Sequence, residues 1–278
     1  MLMLMQQAQL DQFQQVVWKY YRAHGRHDLP WRQSQPDGSF DSYRIVVSEM
    51  MLQQTQVQRV IPKFTAFMEL FPDLQSLAGA QLGTVLQAWS GLGYNRRAKF
   101  LLLTARQLIS EHGGMLPQAS SELLGLPGIG PNTAGALLAY AYNIPSVFIE
   151  TNVRTVFIHH FFADRERVED RSILELVART LPSDVRNWYW ALMDYGTHLK
   201  QTSGNLNKLS KHYTVQSRFA GSKRQLRGRI LRHLAQERYT EAELQQTLAD
   251  TRLPEVLAQL LAESMIERTL TGYKLPGA

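Results

Sequence analysis

The sequence predicts an all-α protein that ends in a small winged-helix-like module. Three observations carry this prediction. Apolar residues recur at helical spacing along most of the 278 residues. Glycine and proline pairs break those runs into short segments, at Gly91–Gly93, Gly113–Gly114, Pro117 and the 127–130 turn. No persuasive strand-period run occurs before about residue 265. Hydrophobic residues make up 44% of the chain, enough for a packed core.

Leu10, Phe13, Val16, Val17, Tyr20 and Tyr21 outline the first helix. Residues 24–42, rich in turn formers, read as a loop. Residues 43–71 keep a helical period, which we expect Pro62 to break. Shorter helices follow, among them 120–124 and 133–142 around the 127–130 turn. The composition shifts near residue 200, where 200–223 is polar, glycine-bearing and cationic. Beyond it, 226–234 and 254–265 read as helices, and Thr240 caps another between them. Residues 266–275 read as a hairpin turned at Gly272. Three helices and a hairpin make a winged helix, a module that reads DNA in some proteins and binds protein in others.

The formal charge is +6. A basic balance favours an acidic partner such as nucleic acid or an anionic membrane surface, though it also fits a merely soluble basic protein. Cysteine is absent. That rules out disulfides, a cysteine nucleophile and any zinc or iron–sulfur site built on cysteine. The apolar start, Met1 to Leu4, is too short for a signal peptide or a membrane span. We therefore expect a soluble cytoplasmic protein, nucleoid-associated in a bacterium, with no membrane partner.

Four segments carry chemistry. Leu126-Pro-Gly-Ile-Gly lies between two helical patterns. Gly128 and Gly130 permit a tight turn around Ile129 and leave backbone N–H groups uncovered. With the start of the next helix, at Asn132 and Thr133, they would hold a DNA phosphate; the plain alternative is an ordinary helix–helix connection. In Val46-Val-Ser-Glu-Met-Met-Leu-Gln-Gln-Thr-Gln-Val, Glu49 stands among apolar neighbours. A carboxyl there is either paired or kept protonated as a general acid. Gln53 and Gln54 could hydrogen-bond base edges or form a solvated face. In Phe148-Ile-Glu-Thr-Asn-Val-Arg, Glu150 could stabilise a cationic sugar. Thr151 and Asn152 are plausible helix caps, and a capping or salt-bridged role for Glu150 is the bland reading. In Trp89-Ser-Gly-Leu-Gly-Tyr-Asn-Arg-Arg-Ala-Lys, Tyr94 could wedge into a base stack while Arg96, Arg97 and Lys99 meet phosphates. A glycine cap before a solvated basic helix would look the same.

Together with Leu29-Pro-Trp-Arg and Ala191-Leu-Met-Asp-Tyr-Gly, these segments resemble the adenine DNA glycosylase (MutY-type) branch of the helix-hairpin-helix family, over roughly residues 10–200. The resemblance implies a two-lobed glycosylase core over 1–221, with a helical lobe at 43–152 and a second lobe from 1–42 and 153–221. A winged-helix-like domain would fill 222–278. It implies a DNA repair enzyme that flips a base from duplex DNA carrying a lesion or mispair and hydrolyses its N-glycosidic bond, acting as a monomer. By resemblance Glu49 is the general acid, and Glu150 with Asn152 is catalytic. Trp31, Arg32, Asn132 and Asp194 belong to the substrate pocket. Gln53, Gln54 and Tyr94 attend the gap and the opposite base, and residues 126–130 grip phosphate.

Four departures stand out. Glu150 replaces the family aspartate, displacing the carboxylate by about 1 Å. Asn132 replaces the lysine of strand-cutting relatives, so no Schiff base forms there. The four-cysteine iron–sulfur loop is missing, so no cofactor is expected. Lys200 aligns near its first cysteine, and Lys208, Lys211 and Arg218 could take over its DNA contacts. Finally, the tail is not the Nudix-like domain of many adenine glycosylases. Uracil, thymine or an oxidised pyrimidine therefore stays open as the excised base, and a DNA-binding protein with a decayed active site stays open as another class.

Overall fold

The computed structural model describes residues 2–277; Met1 and Ala278 lie outside them. The α-helices in chain order are α1 (Leu2–His24), α2 (Ser42–Leu52), α3 (Val57–Leu70), α4 (Leu74–Ala78), α5 (Leu82–Ala88), α6 (Arg96–His112) and α7 (Ser120–Leu124). They continue with α8 (Pro131–Tyr142), α9 (Thr151–Phe161), α10 (Asp170–Arg179), α11 (Val185–Thr202), α12 (Lys223–Leu234), α13 (Glu241–Leu248) and α14 (Leu253–Ala262). Two short strands, β1 (Glu267–Thr269) and β2 (Gly272–Lys274), pair antiparallel near the end. The chain separates into two compact units.

The first unit takes the residues up to 45, together with 118–124 and 129–215. Its core forms where α1 and α9 meet α11. Leu10, Phe13, Val17 and Tyr21 recur every three or four residues and are all buried. Phe13 meets Trp188 edge-on at 5.8 Å and Phe157 at 5.1 Å, and Trp18 lies 5.4 Å from Trp188. Helix α8 is buried along almost its whole length, from Ala134 to Ala141. Its alanines and Gly135 allow close approach; a Cβ on Gly135 would come within 2.9 Å of the Phe148 ring. Tyr140 stacks on Trp190 of α11 at 5.7 Å.

The second unit takes residues 46–117, 125–128 and 216 onward. Helix α6 is its spine, with Ala98, Leu101, Leu102, Ala105 and Leu108 buried on one face. The C-terminal module is three helices and a hairpin, with Tyr239 bridging to Tyr273 as a further strand contact. Arg96 of α6 pairs with Glu263 at 3.1 Å, and Gly83 donates its N–H to the Pro276 carbonyl at 2.9 Å.

These units cut across the boundaries expected from the sequence. Residues 129–152, assigned to the helical lobe, fall in the first unit because α8 packs against α11. Residues 222–278, assigned to a domain of their own, fall with the helical segment 46–117. The pattern over 43–71 also breaks elsewhere than at Pro62, which lies inside α3. The break comes at residues 53–56, where Gln54 adopts a left-handed backbone with φ of 56°. The turn of the hairpin is Leu270–Thr271, with Gly272 opening β2.

Candidate active site and nucleic-acid interface

Glu150 ends an extended segment and is itself the residue that precedes α9. The cap therefore falls one or two residues before the Thr151 or Asn152 expected. Burial pushes the Glu150 carboxyl above its usual range. The Thr151 backbone hydrogen bond and the charges of Arg154 and Lys200 pull it back only in part. Asn152 lies on the first turn of α9. Its Oδ1 accepts a hydrogen bond from Lys200 Nζ at 2.7 Å. Helix α11 reaches it because residue 196 is glycine: a Cβ there would come within 2.5 Å of the Asn152 carbonyl oxygen. Arg154, one turn on, is held bidentately by Asp170 at 2.8 and 2.7 Å. A small polar cavity of about 310 Å³ lies beside these groups, lined by Thr151, Arg154, Lys200, Asn207, Ser210 and His212.

Glu49 stands half-buried on α2, one turn before Gln53, with Val46 and Met50 buried next to it. Past Leu52 the chain turns through the left-handed Gln54 into an arginine-rich cleft of about 760 Å³. Gln53, Gln54, Gly91, Gly93, Tyr94 and Arg96 line one part of it, and Gln216, Phe219, Arg224, Arg227 and Arg232 line another. Tyr94 also has a positive φ, 48°, after two left-handed glycines at 91 and 93. Gln216 donates to Gln54 Oε1 at 3.1 Å and to the Tyr94 hydroxyl. Arg224 donates to the same hydroxyl and lies 5.3 Å from the ring centroid. Among these arginines the cleft holds one carboxylate, Glu263. Sequence reasoning missed Gln216 and Arg224. The signal was present as the stripe Arg224, Arg227, Leu231, spaced three and four apart on α12.

Arg97 does something other than the phosphate contact expected of it. It is buried, 6% exposed, and its guanidinium donates to the carbonyls of Met50, Met51 and Gly93 at 2.7, 2.8 and 3.0 Å and to Thr55 Oγ1 at 3.0 Å. Those carbonyls end α2 and form the Gly91–Gly93 turn, and no helix continues to satisfy them. Burial lowers the Arg97 pKa to about 10. Its neighbour Arg96 stays exposed.

In the 126–130 turn, Gly128 has a φ of 78° and is exposed, and a Cβ on it would come within 2.9 Å of Phe100. The Pro127 carbonyl accepts from Thr104 Oγ1 at 2.9 Å. Gly130 precedes α8 and Pro131 opens it, so the first N–H groups of the helix lack intrahelical partners. The Ile129 side chain is buried, so that residue can offer a ligand only its main chain. Asn132 is exposed, with its Oδ1 3.4 Å from the Ile149 N–H; Thr133 is half-buried.

Three residues expected in the substrate pocket are instead internal supports. Asp194 is 3% exposed and takes Arg32 bidentately at 2.8 and 3.0 Å and Arg26 at 2.7 Å. Burial opposes the Asp194 charge, but the Arg32 hydrogen bonds and the charges of Arg32 and Arg26 outweigh it and hold the carboxyl below its usual range. Trp31 is buried beside Arg32, in the turn that presents this pair.

Residues 200–221 offer no thiolate, so the donor set does not fit an iron–sulfur cluster. Polar packing holds the first part of this segment. The Asn207 amide donates to Thr155 Oγ1 at 2.8 Å. Val168 donates its N–H to the Leu209 carbonyl at 2.8 Å and accepts from Lys211 at 2.9 Å. Lys211 also pairs with Glu169 at 2.7 Å, while Lys208 and Arg218 are exposed. No helix of the described residues is long and apolar enough to cross a membrane.

The model of the HhH-GPD superfamily of base excision DNA repair proteins matches residues 47–179. An adenine DNA glycosylase of Mycolicibacterium smegmatis is 34% identical over 271 residues, 90% of this chain and 91% of that protein. One from Mycobacterium tuberculosis is 32% identical over 94% of this chain and 92% of its own length. One from Buchnera aphidicola is 35% identical over 171 residues, and there the match spans only 46% of the relative. Among solved structures, a thermostable thymine-DNA glycosylase superposes with a TM-score of 0.60 at 21% identity, over 75% of this chain and 98% of that one. A trapped endonuclease III–DNA covalent intermediate gives 0.55 at 17% identity, over 69% and 86%. The last two likenesses concern the fold. The near-complete match to the mycobacterial proteins places the chain in the adenine DNA glycosylase family of the HhH-GPD superfamily.

Proposed function

We propose that this protein is a monofunctional DNA glycosylase that removes adenine from a damage mispair in duplex DNA. The observation that carries the reading is Glu150: a largely buried carboxyl at the head of α9, flanked by Asn152, with two cations acting on it. A carboxylate so placed stabilises the positive charge that develops on a deoxyribose as its base departs. Glu49 gives the departing base a proton, the C1′–N bond breaks, and water supplies hydroxide to C1′ while its second proton returns to Glu49. Adenine is favoured because relatives that match over nine-tenths of the chain carry that name. The exposed first turn of α8 takes a phosphate, and the arginine-rich cleft takes duplex DNA. Asn132 in place of lysine supports a hydrolytic enzyme without strand cutting.

Single-turnover base release tests this, with adenine, uracil, thymine and oxidised pyrimidines opposite guanine and 8-oxoguanine. The expected result is release of adenine only, abolished by Glu49→Gln, with no adduct trapped by borohydride. Release of a pyrimidine instead would reassign the substrate to a retuned pocket. No release from any duplex, with binding intact, would favour a DNA-binding protein that has lost its chemistry.

A further inference from the structure

Lys200 is a half-buried lysine to which the proposed chemistry gives no role of its own beyond its charge. It projects from α11 one turn after Gly196, on the face that docks against the first turn of α9. Its one described hydrogen bond goes to Asn152 Oδ1, at 2.7 Å, and among the described residues no carboxylate pairs with it. The other cation near Glu150 is already committed, because Arg154 is held bidentately by Asp170. A buried ammonium without its own counter-ion is costly unless it serves a nearby negative charge.

We propose that Lys200 is a positioning residue for Glu150: its ammonium fixes the Asn152 amide two residues away and, with Arg154, sets a positive charge beside the Glu150 carboxyl. This rests on the reading of Glu150 as the sugar-stabilising group. Five charged or titratable groups surround the head of α9: Arg154 on α9, Asp170 on α10, Lys200 on α11, and His212 and Tyr213 across the small cavity. Arg154 is paired with Asp170, on which His212 also acts, yet its charge still reaches Glu150. Lys200 is the one of the two cations acting on Glu150 that no carboxylate holds, and it adds to the effect of Arg154 and of the Thr151 backbone hydrogen bond. The directions of titration agree: Glu150 opposes the loss of the Lys200 proton, and Lys200 opposes protonation of Glu150. A lysine at this place also brings a positive charge into a segment that carries no cysteine-bound cluster.

Lys200→Gln removes the charge and can still donate to Asn152; Lys200→Arg keeps the charge. The Glu150 side-chain carboxyl is followed by carbon-13 NMR against pH in the DNA-free protein, assigned with Glu150→Gln. Its titration midpoint is expected to rise by about one pH unit in Lys200→Gln and to stay near wild type in Lys200→Arg. In single-turnover adenine release, the acid limb should move with it. Lys200→Gln should be about tenfold slower below the new midpoint and recover at higher pH. An unchanged midpoint, or an equal loss of rate at every pH, would overturn the proposal. A midpoint that moves while the rate profile does not would support the pairing and sink the catalytic reading of Glu150. If Lys200→Gln does not fold, the wild-type protein still decides: the Glu150 signal should show a second step as Lys200 loses its proton in alkali, and its absence overturns the idea.

Discussion

The head of α9 and the cleft around Tyr94 treat charge in opposite ways. At the head of α9 opposite charges are gathered at short range: Asp170 takes Arg154, and Lys200, bonded to Asn152, acts on Glu150. The cleft is unbalanced, with Arg59, Arg96, Arg224, Arg227 and Arg232 around Glu263 alone. Burial explains the difference. A low-dielectric site must pair its charges, and what it gains is a fixed field. An open cleft can leave cations in water until a polyanion displaces their counterions. The first arrangement suits chemistry on one atom, and the second suits gripping a duplex.

The largest effect should come from the paired site. Glu150→Gln should slow single-turnover base release on the order of a thousandfold, about 4 kcal/mol, with duplex affinity nearly unchanged. A variant that also bound poorly would show that the two regions are not separable in function. Next is Arg97, which belongs to the cleft by position but to the buried class by its partners. Arg97→Met should cost about 3 kcal/mol of stability by denaturant unfolding, because four acceptors lose their donor. A loss confined to DNA affinity would return it to the phosphate-binding set.

Asp194→Asn should cost about 3 kcal/mol at neutral pH, since the buried Arg32 and the half-buried Arg26 lose their counter-charge. The sign of its pH dependence follows from a carboxyl held below its usual range. Its contribution is complete above the ordinary carboxylate pKa and disappears as pH falls through the lowered one. Wild type should therefore lose stability in acid over that window, and Asp194→Asn should show a flatter acid limb in thermal melts. The smallest effect should be at Arg224. Arg224→Ala should weaken duplex binding about three- to tenfold and reduce its salt dependence by about one counterion. A larger loss for one opposite base than for others would make Arg224 a reader of sequence instead of a phosphate contact.

Much of the fold was legible in the chain. The 3.6-residue pattern located α1, the 120–124 helix, the helix read at 133–142 that begins at Pro131, and the Thr240 cap, whose capping box with Glu243 is present. Glu150 and Asn152 sit two residues apart at the head of α9, with Lys200 bonded to Asn152. The misplaced features share one cause. Pro62 looked like a break, yet a helix can absorb proline where packing holds it. The true break at Gln54 depends on Arg97 collecting the carbonyls that α2 leaves unpaired. Nothing in the local sequence separates Arg96, in solvent, from Arg97, in the core, because a one-residue step turns a side chain about 100° around the helix.

The sequence by itself determined the helical class, the glycine-built turns, the absence of thiol chemistry and the residue types at the site, because these depend on short-range periodicity and on composition. Tertiary structure alone decided which charges are paired. Asp194 closes on Arg26 and Arg32 across more than 160 residues of chain, Lys200 reaches Asn152 across 48, and Arg224 reaches Tyr94 across 130. The worth of a charge depends on its burial and on the groups within a few ångströms, and both are properties of the folded chain.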